Sequence, residues 1–368
     1  MSGSIYGTLF TITTWGESHG IGIGVVVDGC PAGLPLDEEY LQTYMNRRKP
    51  GQTKYSTPRK EGDRITIQSG VFEGRTTGAP ISLVVYNENQ RSGDYSEIAN
   101  YYRPGHADYT FDQKYGFRDY RGSGRFSGRE TIGRVAAGAI AAAILRELGI
   151  EVNAYTRSIG PVSIDPAKFD LREARVSPFC MPDPDASRRA EDYLSEQMEA
   201  YNSSGGIIEC IVTGMPAGVG EPVFQKLDAS LARAVMSIGA VKGVEIGDGF
   251  RCAQMTGAEN NDPFHYDEST GITKMTNHGG GILGGLSDGS DIIVRAAIKP
   301  TPSIFRTQKT VNKQNENIEI QIKGRHDPVI VPRAVVVVES MIAVTLVDQL
   351  FLGMTSRLDK IKDFYRSE

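Results

Sequence analysis

The chain is poor in cysteine, histidine and tryptophan and has no excess of positive charge, and each shortage removes a class of function. Its four cysteines, Cys30, Cys180, Cys210 and Cys252, lie far apart with no Cys-x-x-Cys pair. That excludes a disulfide framework and a cysteine zinc site, so a reducing compartment and no bound metal are expected. A net charge of −5 argues against nucleic acid as a partner, because a DNA binder needs a basic face to displace counterions. The first twenty residues, MSGSIYGTLFTITTWGESHG, lack a basic leader followed by an apolar stretch, so no signal peptide is expected. The longest apolar stretch read from the sequence, Val135 to Leu145, is alanine-rich and well short of the ~18 residues of a membrane span. These absences point to a soluble, cytoplasmic protein with no membrane partner.

What is present is an ordinary core-forming composition, 39% hydrophobic and 23% charged, with an unusually large share of glycine at 42 residues. Residues 5–14 alternate like one strand, and Gly22 to Val27 like another. Residues 37–48 read as a helix with Asp37 as N-cap. Residues 64–86 hold two expected strands around a turn at Glu73–Gly78. Residues 91–128 are polar and glycine-rich and read as loop. Ser127-Gly128-Arg129-Glu130 has the form of a capping box and opens the clearest helix, closed by Gly149. Further helices are expected over 186–202, 223–238 and 339–352, the last after a β-like stretch, Ala334–Val338. Short strands and scattered helices without regular βαβ alternation favour an α+β fold.

Two motifs are decoys. Gly16-Glu17-Ser18-His19-Gly20 fits the G-x-S-x-G nucleophile elbow, and His278-Gly279-Gly280-Gly281 fits its oxyanion partner. A nucleophile elbow needs strands before it and a helix after it. Only fifteen residues precede Gly16, and a strand-like segment follows Gly20. Gly279-x-Gly281-x-x-Gly284 fits the dinucleotide fingerprint, but a turn and a strand follow it where a helix should bind the pyrophosphate.

The informative pattern is arginine and lysine set beside glycine in five segments. They are Arg47–Lys54, Arg103–Asp108, Arg121–Thr131, Lys299–Ile304 and Lys323–Pro328. From Arg103 to Arg134 there are seven basic and four acidic residues, a local surplus in an acidic chain. Helix starts and arginine forks both bind phosphate and carboxylate. The plainer alternative is that these arginines are solvated or paired with Asp108, Asp112, Asp119 and Glu130. Of the five histidines, His19, His106, His278 and His326 lie in glycine-rich or basic segments, whereas His265 sits in a polar loop. Histidine beside an anion site suits proton transfer to a leaving phosphate, since it titrates near neutral pH.

The segments GESHG, RPGHADYT, YRGSGRFSGRET, NHGGGILGGLSDG, KPTPSI and GRHDP, in this order, resemble the signature blocks of the chorismate synthase family. The resemblance spans residues 16 to 328. It implies an anti-1,4-elimination of phosphate from 5-enolpyruvylshikimate 3-phosphate to give chorismate, dependent on reduced FMN. It further implies a β-α-β sandwich in a single interleaved domain, against the length prior of two or three domains, and a homotetramer. By resemblance, His19 protonates the departing phosphate, His106 stabilises the reduced flavin near N1, and Asp327 acts through flavin N5 in removing the C6 hydrogen. Ser18, Arg48, Lys54, Arg103, Arg129 and Arg325 are implied to hold substrate. Arg125, Ser127, Gly239, Ala240, Gly284, Lys299, Pro300, Thr301, Pro302, Ser303 and Arg325 are implied to line the FMN site. Phe126, Gly239 and Lys54 depart from the residues common in the family. NADPH is expected at most as an indirect reductant, with the flavin reduced elsewhere. The competing reading is a flavin- or polyanion-binding protein that has kept the pocket without turnover.

Overall fold

A computed structural model describes residues 3–53, 55–56, 62–87, 97–269, 271–322 and 327–366. The first sheet gathers β1 (Ile5–Tyr6), β2 (Thr11–Gly16), β3 (Gly22–Asp28), β4 (Ile65–Ile67) and β7 (Ile81–Tyr86), with a small hairpin of β5 (Val71–Phe72) and β6 (Arg75–Thr76) set apart. Its order is β1-β2-β3-β7-β4, antiparallel throughout. The single strand expected over residues 5–14 is broken. Between β1 and β2 the amides of Thr8, Leu9 and Phe10 leave the ladder and donate to Oδ1 of Asp348, at 2.9, 2.7 and 3.0 Å. A buried carboxylate thus satisfies three donors that a continuous strand would have satisfied.

Helix α1 (Glu38–Arg48) follows β3 and begins as expected, the Asp37 carboxylate accepting from the Tyr40 amide at 2.7 Å. The stretch read as loop contains a helix, α2 (Asp108–Tyr115), and short 3-10 turns at 97–100, 121–126 and 128–130. Helix α3 (Thr131–Glu147) starts just after the expected capping box, of which only half forms. Ser127 Oγ accepts from the Arg129 amide at 3.3 Å, but Glu130 turns instead to Arg134 and to Thr14. A charged partner four residues on outcompetes the backbone N–H.

The second sheet uses β8 (Glu151–Ile159), β9 (Val162–Ser163), β10 (Gly206–Thr213) and β11 (Val241–Ile246). Between β9 and β11 the chain forms α4 (Leu171–Val176), α5 (Pro184–Glu199) and α6 (Leu227–Met236). After β11 come α7 (Gly257–Asn260), two hairpins, β12 (Phe264–Asp267) with β13 (Gly271–Lys274) and β14 (Ile282–Leu283) with β15 (Leu286–Ser287), and then β16 (Ile292–Ile298). The sheet order is β11-β16-β10-β8-β9, again antiparallel. A last hairpin, β17 (Thr307–Val311) and β18 (Asn317–Gln321), precedes α8 (Val331–Gly353) and α9 (Leu358–Arg366).

Ala334–Val338, expected as β, is helical and belongs to α8. The helix-propensity cost of a β-branched run, at most ~0.7 kcal/mol per residue, is outweighed because α8 buries residues on every face. Pro332 sits in its first turn, where a missing N–H costs nothing. Among the described residues α8 alone is long and apolar enough to cross a membrane, but 83% of its most apolar stretch is buried inside the protein. It packs on β8 and β10, while α3 packs on β2, β3 and β7, and the two helices pack on each other. Their approach depends on Gly138, where a Cβ would lie 2.1 Å from that of Ser340. The result is a mixed α+β fold whose buried helices touch both antiparallel sheets.

Candidate active site

The strands and helix ends deliver the basic segments to one place. At the end of β2, the Arg125 guanidinium donates to the carbonyls of Thr14 (2.7 Å) and Gly16 (3.3 Å), tying the arginine-rich loop to the strand. The next residues, Ser18 and His19, are buried, with Ser18 Oγ 3.0 Å from His19 Nδ1. Ser18 lies between two strands, β2 and β3, and not at a strand-to-helix turn, so no nucleophile elbow forms. The Ser18 amide donates to the Gly124 carbonyl at 3.4 Å, and next to Gly124 the Ser123 hydroxyl accepts from Arg103 at 2.9 Å.

Arg103 is 7% exposed and forks onto Asp108 at 2.7 and 2.8 Å. Burial alone would raise the Asp108 pKa, but the Arg103 hydrogen bonds, with Arg118 behind them, hold it below the usual carboxylate range. The pairing considered as the plainer alternative therefore holds for several arginines: Arg118 meets Asp108 and Asp112, Arg121 meets Asp119, and Arg134 meets Glu130. Arg48 and Arg129 are paired as well, but with a different acid.

Those two converge on Asp63, a carboxylate that nothing in its own segment singles out. Asp63 is 3% exposed and takes Arg129 Nη1 at 3.1 Å on one oxygen and Arg48 Nη2 on the other. Its burial would raise its pKa, but Arg48 and Arg129 together lower it. Arg129 also donates to Asn87 Oδ1 at 2.8 and 3.1 Å. The Asn87 amide then donates to the carbonyls of Glu17 (3.1 Å) and Gly20 (2.9 Å), which flank Ser18 and His19. On the far side, Arg333 donates to the Arg48 carbonyl at 3.2 Å and pairs with Asp327 at 2.6 Å. One unbroken set of contacts thus runs from Asp327 through Arg333, Arg48, Asp63, Arg129 and Asn87 to the Ser18–His19 turn, and on through Gly124 to Arg103.

A second group forms around His106. Its Nδ1 lies 3.1 Å from the Pro104 carbonyl and its Nε2 3.0 Å from Ser303 Oγ. The ring therefore donates from Nδ1 and accepts the serine hydroxyl at Nε2. Burial, reinforced by Arg103, pushes the His106 pKa down to about 4, so the ring is neutral at pH 7. Lys299 donates to the Gly105 carbonyl at 2.7 Å, and its own amide donates to Ala240 at 2.9 Å. Pro302 packs against Gly105, whose φ of +71° and crowding admit no side chain: a Cβ there would stand 2.7 Å from that of Pro302. Residues 299–303, 105–106 and 239–240 are thereby assembled.

One polar atom in each group is buried without a hydrogen-bond partner among the described residues, Thr301 Oγ1 here and Arg48 Nε in the first network. Such groups are costly unless a ligand satisfies them. Beside the Lys299 ammonium and the Gly239–Ala240 turn, where Ala240 is held at φ +74° and Gly239 opens to free space, the Thr301 hydroxyl suits a flat, phosphate-bearing ligand.

A family model described as chorismate synthase matches residues 10–351, nearly the whole chain. The chain belongs to the chorismate synthase family. Chorismate synthases from Lachnoclostridium phytofermentans and Lachnospira eligens are 68% and 63% identical to it over 366 residues, covering all of both chains in each case. The Paracoccus denitrificans chorismate synthase is 51% identical over 354 residues, 96% of each chain. A crystal structure of a chorismate synthase superposes with a TM-score of 0.75 at 30% identity, covering 98% of this chain and 97% of that one. Chorismate synthases are phosphate-eliminating lyases of the shikimate pathway, and this chain acts in that class.

Of the residues expected from resemblance to chorismate synthase, Ser18, His19, Arg48, Arg103, Arg125, Arg129 and Asp327 are linked by the contacts above. Ser127 caps the turn that presents Arg129. His106 and Lys299 to Ser303 form the adjoining group with Gly239 and Ala240. Lys54 and Arg325 lie outside the described residues, as does His326. Gly284 lies in the β14–β15 turn, where the neighbouring Gly285 carbonyl accepts from the Leu227 amide at the start of α6, whereas Gly239 follows the end of that helix. Residues 279–284 lead into the β14–β15 hairpin, so no dinucleotide helix follows. His265 is exposed on β12, and His278 is paired with Asp248 at 2.7 Å. Sequence reasoning missed Asp63, Asn87 and Arg333. Only Arg333 carried a signal, as the lone cation at the head of an apolar run, PVIVPRAVVVVE.

Proposed function

We propose that the linked arginines and histidines form the site where 5-enolpyruvylshikimate 3-phosphate loses phosphate in an anti-1,4-elimination dependent on reduced FMN. The continuous contact network from Asp327 to His19 carries this reading. It gathers the groups the reaction needs, cations for one phosphate and two carboxylates, an acid for the leaving group and a carboxylate for the hydrogen side. Arg48, Arg103 and Arg129 hold substrate anions, joined by Lys54 and Arg325. Arg125, Ser127, Gly239, Ala240 and Lys299 to Ser303 line the flavin side, with Gly284 completing it on rearrangement or from another copy.

In the reaction the C–O bond to phosphate breaks and the C6–H bond breaks, and its electron pair becomes the new double bond of chorismate. Bound reduced FMN would supply transient electron density as the phosphate departs. His19, oriented by Ser18, delivers a proton to the leaving phosphate. His106 is neutral as it stands, so it becomes a cation only when an anion replaces the lost solvation beside it. Asp327, fixed by Arg333, serves the hydrogen side at C6. Burying the set under α1, α3 and α8 strengthens each of these charges by lowering the local dielectric.

We further propose that the two sheets and the helices against them constitute a β-α-β sandwich in one interleaved domain, since the network joins residues 19, 63, 129 and 327. A homotetramer in the cytoplasm, with NADPH acting only indirectly through a separate reductant, completes the reading. The test is kinetic. His19→Ala and Asp327→Asn should each lower kcat by at least about 100-fold, while the equilibrium affinity for substrate changes far less. A near-normal kcat in either variant would remove that residue from the chemistry.

A further inference from the structure

We propose that a cleft of about 520 Å³ on the other side of the same helix ends is a second binding site, specific for a small carboxylate with an apolar ring. The cleft lies among α1, α3, α4, α8 and the start of β8, and its volume falls in the range of small-molecule sites, about 300–1,000 Å³. Part of its wall is apolar: Ala142 and Leu145 from α3, Ala174 from α4, and Val335 and Val336 from α8. Its rim is basic, with Arg47, Arg146 and Arg175 contributed by three different helices.

Two acids also line the cleft, one fewer than its arginines. Glu339 is fully engaged, accepting from Arg47 at 2.5 and 2.8 Å and from the Ala154 amide at 3.1 Å. The exposed Glu151 carboxylate accepts, among the described residues, only from Asn153, at 3.4 Å. Arg47 is therefore spoken for, whereas Arg146 and Arg175 make no ion pair among the described residues. Arg146 is held over the Tyr40 ring, 5.6 Å from its centre, and is hydrogen-bonded by the Tyr40 and Tyr44 side chains, which orient its fork without cancelling its charge. Two guanidinium groups with no ion-pair partner among the described residues, set beside apolar side chains, are complementary to a carboxylate on a hydrophobic ring. They repel a cation of the same size, and a bare phosphate leaves the apolar walls unused.

This site is distinct from the network described above, although the same elements serve both. Arg48 turns to Asp63 while its neighbour Arg47 turns to Glu339, and Pro332 lines the cleft while Arg333 holds Asp327. The inference does not depend on the proposed reaction, and its test needs neither flavin nor substrate.

The experiment titrates phenylacetate into the full-length protein by calorimetry, with benzylamine as the cation of matching size. Saturable, one-to-one binding of phenylacetate is expected, weakened at least about tenfold in Arg146→Ala/Arg175→Ala. Both side chains are exposed, so the variant keeps its fold, and Arg146→Lys should restore part of the affinity by returning the charge without the fork. No saturation at millimolar phenylacetate, equal affinity in the double variant, or equal binding of benzylamine would each overturn the proposal.

Discussion

Asp63 gives the sharpest energetic prediction. Its carboxylate is buried between two arginines that are 1% and 5% exposed, Arg48 and Arg129. At an effective dielectric near 20, each arginine contact at about 4 Å is worth about 4 kcal/mol, against which the desolvation of all three groups must be set. Removing the shared partner leaves two buried guanidinium groups without a counter-charge, a change that costs about 3–5 kcal/mol. Asp63→Asn keeps shape and volume, so that loss is electrostatic and not a cavity effect. Urea denaturation at pH 7 and fixed protein concentration should show the variant about 3 kcal/mol less stable. The pH dependence fixes the cause. The folded-state pKa of Asp63 lies below its unfolded value of about 3.9. Its stabilisation is therefore complete above that unfolded value and is lost as pH falls through the lower folded one. The gap between wild type and variant should hold at neutral pH and shrink in acid. A variant within about 0.5 kcal/mol of wild type at pH 7, or a gap that grows in acid, would refute the reasoning.

The other predictions concern the group around His106. With five histidines in the chain, the His106 ring can be assigned by NMR against His106→Ala, and it should titrate near 4 in the ligand-free protein. Because that lies below the unfolded value of about 6.5, the neutral ring stabilises the fold above pH 6.5 and loses this contribution as pH falls towards 4. A ligand-free pKa at or above 6.5 would contradict the burial argument. Gly105→Ala should cost about 1–2 kcal/mol from its left-handed backbone alone, with more from the clash with Pro302. Its thermal midpoint and its affinity for reduced FMN should both drop, and an unchanged protein would show that the Gly105–Pro302 contact is loose.

The sequence made periodic and capped elements readable, and elements set by distant partners unreadable. Helix α1 was legible because Asp37 supplies its own cap. β3 was legible because its apolar run is short and continuous. The break between β1 and β2 was not, since Asp348, which takes the three amides, is more than 330 residues away in sequence. Ala334–Val338 misled for a related reason: β-branched residues signal strand until burial on all sides makes a helix the better packing. In the site, the arginines and histidines stood out through their glycine-rich surroundings. Asp63 and Asn87 did not, because an acid or an amide in a polar stretch looks solvated until the fold sets it against Arg129. Arg333 was readable in principle, as a single charge opening a long apolar helix.

The most direct test of the central claim is an anaerobic assay of the purified protein with chemically reduced FMN and 5-enolpyruvylshikimate 3-phosphate. Chorismate absorbance and released phosphate should appear together in equal amounts, and neither should form when the flavin is left oxidised. Binding of reduced FMN and substrate without either product would contradict the account and leave a binding protein in its place.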